Sequence, residues 1–428
     1  MLEPEPRTSR RKTWLWHDNS IDGRDSFVRK TIIITKDYAC CTGEGSYFRP
    51  GGAEPVGLDL RCSTTTQTNL KFEGGARKNR WKLPLLFLLG CVCSTVSAAV
   101  KITDLGTLGG SQSIAYAIND YDQIVGTSWL AGDTDSSDFL YTNGRMIDLA
   151  QFNFVSAEAI NNSGQIAGVA SGANGNYYPA MYDSQVRRGV STIILGSLGG
   201  VTSYGFAGTS LAINNFGQAV GYSFIDDTRR HAFFYDKGIM RDISSLDDFS
   251  VAFDINDSGS VVGLSGSNGF LYQNGVIQYL IPFGSTESDA RAINNSGQVV
   301  GQYLIAGHTA FHAFLYSNGV FTDIGAENSH ETIAYDINEA GTVVGTTWVV
   351  PSNSCRYCEE YPHAFLYEKG VFTDLNTLLP PGSEWELIEA YAINNRGKIV
   401  GYGLIHGQWH AFLLQFVVPS AQVLRHWH

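Results

Sequence analysis

The sequence lacks the patterns of several common enzyme and binding classes. Between residues 100 and 428 no segment keeps apolar residues at a sustained 3.6-residue period, so helical architectures are poor candidates. There is no phosphate loop and no dinucleotide fingerprint. The string Gly263-Leu264-Ser265-Gly266 comes nearest to a hydrolase elbow, but it does not stand between a strand and a helix. Nucleotide-dependent and serine-hydrolase chemistry therefore have no signature here.

Basic residues are scarce in the same part of the chain. Residues 1–99 contain 15 Lys and Arg against 10 Asp and Glu, whereas residues 100–428 contain 14 against 31. The resulting net charge of −17 repels a phosphate backbone, so we expect no nucleic-acid partner.

Cysteine is also rare after residue 100, where only Cys355 and Cys358 occur. In an exported loop, two cysteines this close together predict a local disulfide. Free thiols are one alternative, and a metal half-site with His363 is another. Two cysteines and one histidine fall short of the four ligands of a structural zinc, so no metal site is predicted.

One string recurs seven times between residues 114 and 401, in variants of A-I-N-N-S-G-Q-I-V-G. An apolar run, a short Asn/Ser/Gly stretch and a second apolar run predict a tight β-hairpin. Each copy has an asparagine after an isoleucine and a glycine seven residues later: Asn119, Asn161, Asn214, Asn256, Asn294, Asn338 and Asn394, with Gly126, Gly168, Gly221, Gly263, Gly301, Gly345 and Gly401.

The turn of this hairpin has its own requirements. The asparagine is expected to form an Asx turn that holds the loop without help from neighbouring repeats. The middle position of the turn is glycine in six copies and Asp122 in the first, which predicts a positive φ.

Two further apolar runs follow each hairpin. The third is HAFFY, HAFLY or a weaker relative, and a turn such as Asn318-Gly319 leads to a fourth run such as Phe321–Ile324. Four short strands at a spacing of roughly 40–55 residues are typical of a propeller blade. We predict an all-β fold over residues 100–416, a seven-bladed β-propeller of four-stranded blades.

The two ends of the repeat region complement each other. The seventh copy stops after its third strand, at His410–Phe416, and an orphan strand of the fourth type stands before the first copy at residues 101–105. If this strand joins the last blade, the ring closes without a bare sheet edge.

The first hundred residues have a different character. Residues 76–99 run from basic through apolar to small residues, as in a signal peptide or signal anchor. Residues 1–75 are expected to be a non-native or disordered extension, and residues 417–428 a C-terminal tail. Leu88–Cys91 resembles a lipobox, so lipidation of Cys91 or an uncleaved anchor would be the only membrane contact. We expect an extracellular or periplasmic location.

The recurring histidines and aspartates are the first candidates for chemistry. We interpret the histidines as structural groups hydrogen-bonded within their own blades, because three copies lack them, and the aspartates as turn or strand-pairing groups: His231, His312, His363 and His410, with Asp104, Asp148, Asp242, Asp323 and Asp374. The loops that start at Asp254 and Asp336 resemble the beginning of a calcium loop, but neither has the acidic residue at its twelfth position. No cofactor is predicted, with calcium as an alternative.

The HAFLY-x-x-G-x-x-x-D-L strands and the A-I-N-x-x-G-x-x-x-G hairpins together resemble the HAF-repeat group of bacterial proteins, over most of residues 101–416. The resemblance implies export and a repeated β fold, and it carries no catalytic residues. Members often end in a sorting tail. Val417–His428 has no apolar anchor, which departs from that pattern.

We therefore predict an exported, monomeric, non-enzymatic propeller that binds a protein or a glycan. The long insertions at residues 131–137, 171–188, 345–362 and 378–386 supply the candidate binding surface. Their aromatic side chains could stack on sugars, with ordinary loop packing as the alternative: Trp348, Tyr357, Tyr361 and Trp385. A glycan lyase or hydrolase with acidic residues at the channel mouth is the rival prediction, and catalytic residues are not assigned.

Overall fold

The structure, a computed structural model, describes residues 10–18, 30–38, 99–183, 192–244, 249–325, 331–349 and 361–417. Contacts divide the chain into two units, Met1–Thr95 and Val96–His428. In the first unit β1 (Arg10–Asp18) pairs antiparallel with β2 (Lys30–Tyr38). The described part of the chain contains no helix long and apolar enough to span a bilayer. Cys91 and the signal-like segment up to residue 98 lie outside the described residues.

The second unit is a seven-bladed β-propeller, as the sequence predicts, and each blade is an antiparallel sheet of four strands. The strands are, blade by blade from 1 to 7, β4 (Gly109–Ile118), β5 (Ile124–Leu130), β6 (Ser136–Thr142), β7 (Arg145–Asp148); β8 (Phe154–Ile160), β9 (Gln165–Ser171), β10 (Tyr177–Asp183), β11 (Thr192–Ile194); β12 (Gly208–Ile213), β13 (Ala219–Phe224), β14 (Arg230–Asp236), β15 (Ile239–Asp242); β16 (Ser250–Ile255), β17 (Val261–Ser265), β18 (Asn268–Gln273), β19 (Val276–Leu280); β20 (Glu287–Ile293), β21 (Val299–Leu304), β22 (His312–Ser317), β23 (Val320–Asp323); β24 (Thr332–Ile337), β25 (Val343–Val349), β26 (Tyr361–Glu368), β27 (Val371–Asp374); and β28 (Glu386–Ile393), β29 (Ile399–Ile405), β30 (Gln408–Val417), with β3 (Ala99–Asp104) as its fourth strand. Three short 3-10 helices lie between blades, at Leu149–Phe152, Pro282–Gly284 and Leu375–Leu378.

Strand β3 closes the ring, which confirms the predicted closure. It pairs antiparallel with β30, with Val100 opposite Phe416 and Asp104 opposite Phe412. The strand begins at Ala99, slightly before the predicted start at residue 101. The first and last strands of the propeller therefore share one sheet, and blade 7 needs both ends of the domain.

The first strand of each blade lies innermost and contains a β-bulge inside the repeat motif. In β24 the pairing passes from Ala334 to Asp336 and skips Tyr335. The carbonyl of Ile333 approaches Gly345 so closely that an added Cβ would overlap it. The same close approach occurs at the equivalent glycine of every blade, so the recurring glycine is required by sterics although its φ is ordinary.

The core is divided among the seven interfaces between adjacent blades. Each interface has its own cluster of buried apolar side chains, including the cluster of Leu105 and Val400 that joins blade 7 to blade 1. Six blades place a fully buried phenylalanine of their third strand opposite the recurring glycine: Phe139, Phe233, Phe270, Phe314, Phe365 and Phe412. Blade 2 has Ala180 there. The HAF phenylalanine is thus a core residue.

The recurring asparagines form a closed ring of hydrogen bonds, which we call the asparagine belt. Each Oδ1 accepts the N–H of the residue four positions on, as in an Asx turn, for example from Gln123 to Asn119. Each Nδ2 donates to the backbone carbonyl of the belt asparagine in the next blade, over 2.9–3.2 Å. The Asx turn is confirmed, but the expectation that the loop needs no neighbour is wrong. The turn glycines and Asp122 have positive φ, as predicted.

Candidate functional site in the central channel

A second closed ring, the rim, lies beside the asparagine belt at the mouth of the central channel. It consists of the residues that follow the belt asparagines: Asp120, Asn162, Asn215, Asp257, Asn295, Glu339 and Asn395. Each rim side chain accepts the backbone N–H of the rim residue in the preceding blade, over 2.7–3.1 Å. Belt and rim, with one isoleucine per blade, enclose a cavity of about 170 Å³. The rim oxygens already accept hydrogen bonds from neighbouring blades. The main role of the rim is therefore to hold the blades together at this mouth.

The residues skipped by the seven bulges form the channel ring: Tyr116, Glu158, Leu211, Phe253, Arg291, Tyr335 and Tyr391. They lie three residues before the belt, which is about 10 Å along a strand. Members from successive blades contact one another. The ring centroids of Tyr391 lie 5.8 Å from Tyr116 and 5.1 Å from Tyr335. Side chains from different innermost strands can meet in this way only around the central axis.

Arg291 is the cation of the channel ring. Its guanidinium lies 5.9 Å from the ring centroid of Phe253 and 5.5 Å from that of Tyr335. Asp289 binds it through two hydrogen bonds of 3.0 and 3.1 Å. Gln302 donates from Nε2 to the same carboxylate, 3.0 Å away, while its own Oε1 is buried without a partner. The arginine is therefore held in place and neutralised by the protein itself.

Glu389 occupies the next part of the wall, beside the tyrosines of blades 6 and 7. It accepts a hydrogen bond from the Tyr402 hydroxyl at 3.3 Å, and the hydroxyls of Tyr335 and Tyr391 also bond to it. Burial raises the pKa of Glu389, although the three hydroxyls and Arg291 act against this rise. Burial and the nearby Glu389 raise the pKa of all three tyrosines well above the usual value. The tyrosines are thus hydrogen-bond donors at neutral pH.

On the side of the channel opposite Glu389 and its tyrosines, the wall contains Glu158 and Leu211. The carboxylate of Glu158 accepts a hydrogen bond from the hydroxyl of Ser156. Seven equivalent backbone positions thus hold aromatic, aliphatic, acidic and basic side chains. This arrangement can stack on a flat apolar face and can donate or accept hydrogen bonds around it.

The loop aromatics predicted from the sequence do not converge on the channel ring. Trp385 packs on the core between blades 6 and 7, with its ring 6.3 Å from that of Phe412, which is the loop-packing alternative. Trp348 and Tyr361 lie on adjacent strands at the end of blade 6, where Tyr361 contacts His363. Tyr357, Cys355 and Cys358 lie outside the described residues, so their predicted roles have no structural description.

The recurring histidines are structural, as interpreted from the sequence. In four blades the histidine Nδ1 lies 2.7–3.2 Å from the aspartate that ends the fourth strand of the same blade. The other aspartate oxygen accepts the N–H two residues further on, as Asp242 does from Ser244. Ser244 also reaches Nδ1 of His231, the same nitrogen that faces Asp242, so these three residues do not form a nucleophilic relay.

Asp254 and Asp336 link blades through their carboxyl groups. The two oxygens of Asp254 accept the N–H groups of Ile255 and of Ile293 in the next blade, both at 2.8 Å. Asp336 accepts from Ile337 and Ile393 in the same way. Burial raises the pKa of Asp254 to about 7, with a smaller contribution from the charge of Asp336, and burial raises that of Asp336 to about 6. Among the described residues, no three His, Cys, Asp or Glu side chains are grouped to hold a metal ion.

Sequence reasoning missed the channel ring, although a signal for it exists. Within the motif [AS]-x-[AD]-I-N the second position is the one that varies freely, from Tyr116 to Arg291. A variable position inside a constant motif indicates a side chain that the blade itself does not use. The strand assignment alone could not show that all seven such residues face one axis.

No protein-family model matches the chain, and no curated protein matches it. Several solved structures are similar to it at low sequence identity, and three of them follow. The β-propeller domain of the trilobed protease from Pyrococcus furiosus is 10% identical, over 71% of this chain and 93% of that one, with a TM-score of 0.46. TolB from Acinetobacter baumannii is 13% identical, over 65% and 76%, with a TM-score of 0.36. An acylaminoacyl peptidase is 11% identical, over 71% and 51%, with a TM-score of 0.46. These similarities concern the fold, and no function follows from them.

Proposed function

We propose that the chain is an exported, non-enzymatic β-propeller that binds a glycan through the channel ring. One observation carries the proposal. The belt, the glycines and the core phenylalanines are nearly constant from blade to blade, whereas the skipped position carries five residue types in seven blades. Blade construction needs only the bulge at this position. Its side chains face the central axis and differ from blade to blade, which supports a role in binding a ligand.

The chemistry of the wall suits a sugar. Tyr116, Phe253, Tyr335 and Tyr391 supply aromatic surface for the apolar face of a pyranose. Arg291, Glu158 and Glu389 supply charged donors and acceptors at the same level. A few polar groups on an aromatic wall are typical of small-molecule sites. A protein ligand would need a broad flat surface, which a channel wall does not offer.

Export and family membership are part of the same proposal. The order of basic, apolar and small residues over residues 76–99 supports export. The two repeat motifs support membership of the HAF-repeat group, and the propeller fold agrees with a repeated β architecture. Secretion in a bacterial host, measured as the fraction of the chain outside the cytoplasm, tests this part.

A glycan array with the full chain tests the ligand class. We expect binding to one set of oligosaccharides, and a loss of about tenfold or more on Tyr391→Ala, which corresponds to about 1.4 kcal/mol. Tyr121→Ala is the matched control, because Tyr121 is 65% exposed on a hairpin turn outside the ring. Equal losses in both variants, or binding to immobilised proteins alone, would contradict the glycan proposal.

A glycan lyase or hydrolase is the second candidate, favoured by Glu389. Burial raises the pKa of this carboxyl, a shift that suits a general acid. Hydrolysis normally needs a second free carboxylate, and Asp289 is already bound by Arg291 and Gln302. Release of reducing ends or unsaturated products, abolished by Glu389→Gln, would support the enzyme and reject the binding module.

A further inference from the structure

We propose that the ligand of the channel ring carries a positive charge, and that Glu389 and the tyrosines around it bind a protonated amine of the glycan. This inference deepens the proposed function and rests on it. It names the substrate class as amino sugars with a free amine, in contrast to neutral or N-acetylated sugars. The site assigned to the amine is the wall formed by Glu389, Tyr391 and Tyr116.

The charges of the channel wall favour a cation. Among the described residues, the carboxyl groups of Glu158, Asp289 and Glu389 belong to this wall together with the guanidinium of Arg291. Arg291 is closest to Asp289, which binds it with both oxygens. Glu389 therefore has hydrogen-bond donors around it but no cation in direct contact among the described residues. The acidic propeller around the channel adds to the attraction for a positive ligand.

The aromatic groups provide the second observation. Arg291 already lies between Phe253 and Tyr335, so one part of this wall binds a cation through aromatic faces in the folded protein. Tyr391 continues the same wall, because it contacts Tyr335 on one side and Tyr116 on the other. The wall beside Glu389 has the same combination of aromatic rings and a carboxyl group. In this part of the wall the ligand would supply the cation.

A third observation concerns hydrogen bonding. Gln302 is 9% exposed, and its Oε1 has no partner while its Nε2 is bonded to Asp289. A buried acceptor without a donor costs free energy. An ammonium or hydroxyl donor of a ligand bound along this wall would supply the missing hydrogen. This acceptor lies in blade 5, beside Asp289 and Arg291, so only a donor of a ligand that extends there from Glu389 would meet it.

Isothermal titration calorimetry with the full chain tests the inference. The probes are a glucosamine oligosaccharide and its N-acetylated counterpart of equal length, at a pH below the pKa of the amine. We expect the free amine to bind at least tenfold more tightly. Glu389→Gln should remove this preference, so that the two oligosaccharides bind with similar affinity. Glu384→Gln, at a side chain 69% exposed in the same blade, is the matched control and should change neither affinity.

A second measurement needs no variant that might unfold. Added salt should weaken binding of the glucosamine oligosaccharide by the wild-type chain and leave binding of the N-acetylated one unchanged, since only the former is an ion pair. Equal affinity for both probes, or no salt dependence, would overturn the amine inference while the glycan proposal stands. If neither probe nor any array glycan binds, both fail.

Discussion

The side-chain amide of Asn394 donates a hydrogen bond to the backbone carbonyl of Asn119, 3.0 Å away, although 275 positions separate the two residues in the chain. The bond is the seventh of the asparagine belt and joins the last blade to the first. Beside it, Asn395 makes the closing contact of the rim with Asp120. Two independent rings of hydrogen bonds therefore close at the same interface where β3 completes blade 7.

Replacement of Asn394 by aspartate tests the belt. The new carboxylate can still accept the N–H groups of Arg396 and Lys398, but it cannot donate to Asn119 and places negative charge against its carbonyl. We expect the free energy of unfolding to fall by about 2–3 kcal/mol at neutral pH. The loss should shrink in acid, where the introduced carboxyl gains a proton that it can donate. Chemical denaturation at both pH values measures this.

Arg396→Ala is the control for this variant, because Arg396 is exposed in the same turn. It should change the free energy of unfolding by less than about 0.5 kcal/mol. An Asn394→Asp protein as stable as the wild type would show that the belt contributes little to the stability of the closed ring.

Substitution of Val100 by aspartate tests ring closure. Val100 is 7% exposed and packs in the cluster between blades 6 and 7, so a charge there is buried without a partner. We expect a loss of about 3 kcal/mol and a single cooperative transition at lower temperature, because blade 7 depends on β3. Lys101→Gln, on the exposed side of the same strand, should leave the melting temperature unchanged. Separate melting of blade 7 would contradict cooperative closure.

The blades could be predicted because most recurring residues act within about twenty positions of their partners, and the closure could be predicted because the seventh copy lacks the fourth strand that stands before the first copy. Asn161 and Gln165 meet inside one hairpin, and His363 and Asp374 meet inside one blade. The belt could not be predicted in this way. Its bonds join residues of different blades, 38 positions apart between Asn256 and Asn294 and 56 between Asn338 and Asn394, so no local pattern contains both partners.

The channel ring was missed for a different reason. In a regular strand the side chains alternate, and alternation places Tyr335 on the same face as Ile337. The bulge between Ala334 and Asp336 breaks that alternation and turns Tyr335 to the axis. The bulge stands beside the close approach of the Ile333 carbonyl to Gly345, a backbone feature that the alternation of apolar residues does not reveal. The loop residue Trp385 was a more visible candidate, and it packs on the core.

Two glycine substitutions separate close packing from backbone conformation. Gly345 has an ordinary φ, but a Cβ there would overlap the carbonyl of Ile333. Gly319 has a φ of 83° and open space around it. We expect Gly345→Ala to cost about 3 kcal/mol or more through forced backbone movement. Gly319→Ala should cost only about 1–2 kcal/mol, the left-handed penalty. Denaturant midpoints of the two variants measure these losses. A larger loss for Gly319→Ala than for Gly345→Ala would reject the steric explanation.

Asp254 and Asp336 should make the propeller less stable as the pH rises from about 4 to about 7. Their folded pKa values, raised to about 7 and about 6, exceed the value near 4 expected in the unfolded chain, so the folded state binds protons that the unfolded state has released. The effect is about 1.4 kcal/mol for each tenfold difference in proton affinity.

The double variant Asp254→Ala, Asp336→Ala carries the residue that the five other blades have, and its free energy of unfolding should depend less on pH. Denaturation curves at pH 5 and pH 8 measure the difference, with Asp135→Ala at an exposed loop residue of blade 1 as the control. A double variant with an unchanged slope would show that both carboxyls are ionised throughout, held by the N–H groups of Ile293 and Ile393.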